Sequence, residues 1–161
     1  MNHYIFDLDD TLILHRNNIN YEWIFEDKVL THYLKKCNGT KYIYTNGTAD
    51  HAEEVLERMN ITDEFHTVYS RYSFDQMKPS ILSAVRLHRE IRGYHNDKII
   101  FFDDLQENLR TACILGWITV WISPTYELKD KYDHVDYAFP NITDALKYIQ
   151  DNDVMPSYDL I

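Results

Sequence analysis

The chain has 161 residues, 45% of them hydrophobic and 26% charged, which bounds it to one globular domain with a substantial core. A formal net charge of -10, with Lys35-Lys36 as the longest basic cluster, disfavours a polynucleotide ligand, because nothing is present to displace phosphate counterions. No apolar run reaches the roughly 20 residues of a membrane helix, and the N-terminus lacks the basic start and small-residue cleavage site of a secretory leader. Two cysteines, Cys37 and Cys113, are too few for a disulfide framework. A cytoplasmic protein with reduced thiols is expected, with Cys113 in a helix core.

A strand is expected near 3–7, followed by a helix near 21–36. A second strand near 40–45 carries the apolar run Tyr42-Ile43-Tyr44 and leads into a helix at 49–59 opened by Thr48. A strand near 65–69 precedes a helix at 79–91 with Pro79 in its first turn. The run Ile99 to Phe102 marks a strand at 98–102, buried on both faces, and Asp104 signals the helix at 106–115. A strand at 117–122 and a helix at 142–151 opened by Asn141 complete the pattern. Strand–helix alternation predicts an α/β fold, a doubly wound, mostly parallel sheet with helices on both faces. The expected organisation is one domain over 1–150 and a loose tail over 151–161.

In such sheets ligands bind beyond the carboxyl ends of the strands, near a topological switch point. Polar groups fall there repeatedly: Asp7 and Asp9 after the first strand, Thr45-Asn46 after the second, Asp103-Asp104 after the fourth. Lys78 precedes the third helix. If the first strand continues its period of two, Asp7 and Asp9 point to one side and Asp10 to the other. Carboxylates gathered in one crevice repel each other unless a cation or a reacting phosphoryl group lies between them. Lys78 alone cannot balance Asp7, Asp9, Asp103 and Asp104, so a hard dication with oxygen ligands is expected.

The order Asp7-x-Asp9-x-Thr11, Thr45-Asn46, Lys78-Pro79 and Asp103-Asp104-x-x-x-Asn108 resembles the four motifs of the haloacid dehalogenase-like superfamily. His51-Ala52, the Phe-Phe-Asp-Asp run and the stretch Asp136-Tyr137-Ala138 to Ala145-Leu146 are most similar to its pyrimidine 5′-nucleotidase-like branch. The resemblance implies a Mg²⁺-dependent phosphatase working through an aspartyl-phosphate. Asp7 would be the nucleophile and Asp9 the acid and base. Thr45, Asn46 and Lys78 would bind the phosphoryl group. Asp7, Asp104, the carbonyl of Asp9 and, through water, Asp103 would hold the metal. Asp9 tips the reading from carbon–halogen hydrolysis to phosphoryl transfer, with water or another acceptor. Asn108 is read as a brace for the Asp103-Asp104 loop, and Asp10 and Thr11 as shaping their own loop.

Relatives in that branch carry a helical cap between the first two motifs. Here one loop and one helix fill that interval, so no cap is expected, and 13–20 could form only a small flap. An open crevice suits a large substrate, such as a phosphoprotein or a nucleic-acid end that the -10 charge disfavours, or walls borrowed from a second copy in a homo-oligomer; the expected partner is a phosphorylated small molecule or a phosphoprotein. Leu105 departs from the small hydroxyl residue common in relatives. The histidines show no metal spacing, and His51 is read as a helix-packing residue. Tyr21, Trp23 and Phe25 could stack a base, with core packing preferred, and Trp117 and Trp121 read as core. Two non-enzyme readings compete. A phospho-accepting receiver would need its acceptor after the third strand, where Ser70-Arg71-Tyr72 follows instead; the other is a catalytically silent binding module.

Overall fold

The computed structural model describes residues 1–15, 20–91 and 97–156. Six strands form one sheet: β1 (Asn2–Phe6), β2 (Gly39–Tyr44), β3 (Thr67–Tyr69), β4 (Lys98–Asp103), β5 (Ile118–Ile122) and β6 (Tyr137–Phe139). Their spatial order is β3-β2-β1-β4-β5-β6 and every pairing is parallel. The order reverses between β1 and β4, which makes that junction the switch point where such sheets open a crevice. The helices are α1 (Lys28–Lys36), α2 (Ala49–Arg58), α3 (Ile81–Ile91), α4 (Gln106–Ile114) and α5 (Ile142–Asp151).

The strand period of two divides the core into two layers. Phe6, Ile43, Phe102 and Val120 face Leu30 and Leu34 of α1, Val55 and Leu56 of α2 and Leu146 of α5. Ile5, Tyr42, Tyr44, Phe101 and Trp121 face Ala84 and Leu87 of α3 and Leu109 and Ala112 of α4. Trp117 and Trp121 are both buried, as core residues should be. Among the described residues, no helix is long and apolar enough to cross a membrane.

Several expectations need correction. The segment expected as one helix over 21–36 splits. Asn20 caps a single 3-10 turn at Tyr21–Trp23, and the Asp27 side chain accepts the Val29 and Leu30 N–H groups to start α1. Two competing caps in one stretch give two short elements. Trp23 and Phe25 are 76% and 71% exposed, so neither is core. Helix α3 begins at Ile81, leaving Pro79 outside it, and Leu105 precedes α4 with no side-chain cap from Asp104. Strand β6 goes unseen in the sequence because three half-buried residues carry too little pattern. The expected tail is partly tied down: α5 runs through Asp151, Val154 is buried, and Lys98 pairs with Asp153. Cys37 is buried, Cys113 only half-buried, and both are free thiols. Of the flap at 13–20, residues 16–19 lie outside the described residues; the described part between Asp7 and Thr45 holds a 3-10 turn, α1 and β2, with no cap domain.

Candidate active site

Strand parity brings the first group together. Asp7 follows Ile5 by two and Asp103 follows Phe101 by two, so both carboxylates emerge on the face covered by α3 and α4. The Asp7 N–H donates to the Phe102 carbonyl at 2.9 Å, carrying the β1–β4 ladder one residue into the crevice. The chain then reverses at Asp10, whose φ of 58° lies in the left-handed region tolerated by aspartate. The N–H groups of Thr11, Leu12 and Ile13 all point back at the Leu8 carbonyl, and the Asp10 carboxylate accepts the His15 N–H at 2.9 Å. That loop returns the buried Thr11 to Asp7, donating its hydroxyl to Oδ2 at 3.0 Å.

Lys78 joins the two strand ends. Its Nζ lies 2.9 Å from Asp7 Oδ1 and 2.8 Å from Asp103 Oδ2, and its side chain is only 4% exposed. The ammonium also sits 5.2 Å and 5.7 Å from the ring centres of Tyr44 and Phe101, a cation–π arrangement in a dry site. The Asn46 amide clamps the Lys78 backbone, donating to its carbonyl at 3.0 Å and accepting its N–H at 2.9 Å. The Asn46 side chain, expected to bind phosphate, thus fixes Lys78 with its oxygen and one of its two N–H groups. Burial would strip the Lys78 proton, but the neighbouring Asp103 and Asp7 carboxylates more than reverse this and hold it charged beyond the ordinary lysine range.

Asp103 is wholly buried and saturated: Oδ1 accepts from the Leu105 N–H at 2.9 Å and Asn108 Nδ2 at 3.2 Å, Oδ2 from Lys78 and from Asn108 at 3.1 Å. Asn108 is thus the brace of this loop. Asp7 and Asp104 are less well compensated. Burial, then the Asp103 charge, pushes the Asp7 carboxyl well above its usual range, with Lys78 opposing. The same two causes raise Asp104 to about 6. Asp7, Asp103 and Asp104 each present an oxygen within 4.8 Å of the others. A set of oxygen donors, two of them raised by the lack of compensating charge, fits a hard dication such as Mg²⁺.

Asp9 stands in different company. Strand β1 ends at Phe6, so its alternation does not extend to Asp9, whose side chain turns towards α2. Its Oδ1 lies 2.7 Å from His51 Nε2 and 2.6 Å from His15 Nε2. His51 is set in place by the N-cap of α2, where Thr48 Oγ1 accepts its N–H at 3.2 Å, and its Nδ1 meets the Tyr21 hydroxyl at 2.6 Å. His51 is therefore a partner of Asp9, correcting its reading as a packing residue. Gly47 allows this approach: a Cβ there would lie 3.0 Å from His51 Cδ2, 3.3 Å from Thr45 Oγ1 and 3.6 Å from Asp9 Oδ2. The buried Thr45 and the second carboxylate oxygen of Asp9 thus border one small space above Gly47. His15 carries no sequence signal because it lies away from any strand end, and Tyr21 reads from the sequence only as a stacking or core aromatic, not as a partner of His51.

No protein-family model matches the sequence, and no curated protein matches it. Solved structures do match the fold. L-2-haloacid dehalogenase from Xanthobacter autotrophicus superposes with a TM-score of 0.59 at 16% identity, over 74% of this chain and 59% of that one. The chain thus spans little more than half the length of that enzyme. A Bacillus subtilis protein assigned as a HAD-hydrolase, solved bound to magnesium, gives 0.63 at 15% identity over 78% of this chain and 54% of that one. The core domain of a Streptococcus pneumoniae protein assigned as a phosphoglycolate phosphatase gives 0.62 at 16% identity, covering 94% of this chain and 96% of that one. The fold is that of haloacid dehalogenase-superfamily hydrolases.

Proposed function

We propose that the protein is a phosphomonoester hydrolase of the haloacid dehalogenase superfamily that works through a phosphorylated Asp7. The observation that carries this reading is the buried Lys78 ammonium spanning Asp7 and Asp103, with Asp104 beside them. A nucleophilic carboxylate needs its charge held ready in a dry site, and Lys78 supplies the matching positive charge. Asp7 attacks phosphorus, the bond to the leaving oxygen breaks, and Asp9 delivers a proton to that oxygen. Water then attacks the aspartyl-phosphate, Asp9 takes its proton, and the Asp7–phosphorus bond breaks to free inorganic phosphate.

Thr45 accepts the Gly47 N–H at 3.1 Å, and its own hydroxyl proton can be donated to a phosphoryl oxygen. Asp7, Asp104 and the Asp9 carbonyl, with Asp103 behind them, would hold Mg²⁺, which would supply the remaining neutralisation of the phosphoryl charge. The magnesium bound by the Bacillus subtilis protein supports that choice of ion. The substrate is a phosphorylated small molecule or a phosphoprotein, reached without a cap. The exposed Trp23 and Phe25, next to the Tyr21 that meets His51, favour a pyrimidine nucleotide as the second reading, since aromatic faces stack bases.

Hydrolysis of para-nitrophenyl phosphate with and without Mg²⁺ tests the assignment. Turnover that needs the ion and vanishes in Asp7→Asn is expected. A folded, Mg²⁺-loaded protein that releases no phosphate from this ester, from nucleotides or from phosphopeptides would overturn it in favour of a silent binding module.

A further inference from the structure

The Asp9 cluster has a donor chemistry that phosphoryl transfer does not call for. Two imidazole nitrogens approach a single carboxylate oxygen, and one ligand atom from each of Asp9, His15 and His51 lies within 4.8 Å of the others. The His15 side chain is 6% exposed, and its Nε2 makes no hydrogen bond to any described residue, although Asp9 Oδ1 is 2.6 Å away. That ring nitrogen thus lies beside a carboxylate oxygen and a second imidazole without a hydrogen bond to either. A buried polar atom without a hydrogen bond is costly, and an ion at that point would relieve it.

We propose that Asp9, His15 and His51 form a second metal site, for a borderline dication of the Zn²⁺ type, and that its occupancy inhibits the enzyme. This rests on the reading of Asp9 as acid and base, because a carboxylate tied to an ion can no longer shuttle a proton. Nitrogen donors select Zn²⁺, Co²⁺ or Cu²⁺ and are poor partners for Mg²⁺. Two histidines and a carboxylate are a known ligand set for zinc with one position left open. The ligands are held from behind: Tyr21 meets the far nitrogen of His51, the Arg58 guanidinium holds the Tyr21 carbonyl at 2.8 Å, and Asp10 pins the His15 backbone. Such outer contacts orient metal-binding imidazoles. The Asp9 side chain is 31% exposed, which leaves an entry path. No side chain is shared with the Asp7, Asp103 and Asp104 set, so the two ions would not compete for the same carboxylates.

The test is a titration of the protein in millimolar Mg²⁺ with Zn²⁺ by calorimetry and with Co²⁺ by visible absorption, beside para-nitrophenyl phosphate hydrolysis. One equivalent should bind and should stop hydrolysis. Affinity should fall roughly tenfold in Tyr21→Phe, and by more than about 100-fold in His15→Gln or His51→Gln, since losing a ligand exceeds the cost of losing an outer contact. Binding should persist in Asp7→Asn, which carries no activity and so separates the metal site from the reaction. Binding that survives both histidine substitutions, that disappears in Asp7→Asn, or that is absent altogether overturns the site; binding without inhibition overturns its inhibitory role. If no variant or metal gives turnover, the phosphatase reading fails while the calorimetric arm still decides the site.

Discussion

Two acidic centres lie side by side in this molecule and differ in almost every physical respect. Around Asp7, carboxylates from two adjacent strands meet one buried lysine, with oxygen donors only and little solvent. Around Asp9, a carboxylate from the loop meets two imidazoles and, beyond them, a tyrosine, and part of the group is open to water. On the proposed phosphatase reading, the first centre holds the nucleophile and its counter-charge, while the second holds the carboxylate that passes a proton. Burial decides the division: a buried carboxylate needs a permanent counter-charge, and Lys78 supplies one only at the first centre.

The sharpest way to break the comparison is Asp7→Asn. Loss of the nucleophile should cost about 10⁴-fold or more in kcat, in line with removing a covalent catalytic residue. The melting temperature without metal should nevertheless rise, because burial and Asp103 oppose the Asp7 charge and a neutral isostere relieves that conflict. A fall in both would show that Asp7 is structural. Lys78→Met should abolish hydrolysis and lower unfolding free energy by about 3–5 kcal/mol in urea titrations, since Asp7 and Asp103 would be left buried without their counter-charge. Asp9→Asn should leave stability near wild type and reduce kcat by about 10²–10⁴-fold, the range of general acid–base contributions. An effect on KM alone would assign Asp9 to binding.

Magnesium and pH test the oxygen-only centre directly. The Asp104 carboxyl, pushed up to about 6 from an ordinary 3.8, makes the folded metal-free protein bind more protons than the unfolded chain between those values. Its contribution is thus most favourable below the lower value and is lost as pH rises through about 6. Asp7 acts in the same direction. Added Mg²⁺ at 100 times its dissociation constant should raise the melting temperature by roughly 5–10 °C at pH 7.5. That gain should shrink as pH falls through about 6, where protonated Asp104 no longer binds the ion. A pH-independent gain, read by differential scanning, would move the ion away from Asp104. The smallest effect is expected at the second centre without added zinc. Tyr21→Phe removes one hydrogen bond to His51 and should lower kcat/KM about two- to tenfold.

Much of this architecture can be read without coordinates. The continuous apolar runs at Tyr42-Ile43-Tyr44 and Ile99 to Phe102 mark central parallel strands, and polar residues placed just after them mark the crevice. Thr48 and Asn141 cap their helices as their side chains suggest, each accepting an N–H three residues on. Parity along β1 and β4 is enough to put Asp7 and Asp103 on one face. These features are local, since a strand's alternation and a cap's hydrogen bond are set by neighbours in the chain.

Only the tertiary structure decided what surrounds each carboxylate. The packing of α2 against the sheet carries His51 to Asp9, and the left-handed turn at Asp10 brings His15 back to the same oxygen. Asn46 was drawn to the Lys78 backbone, and Trp23 and Phe25 were left in solvent once Asp27 started α1 late. Such outcomes depend on contacts between residues tens of positions apart. Their geometry follows from how layers stack and loops close, which no spacing in the chain encodes.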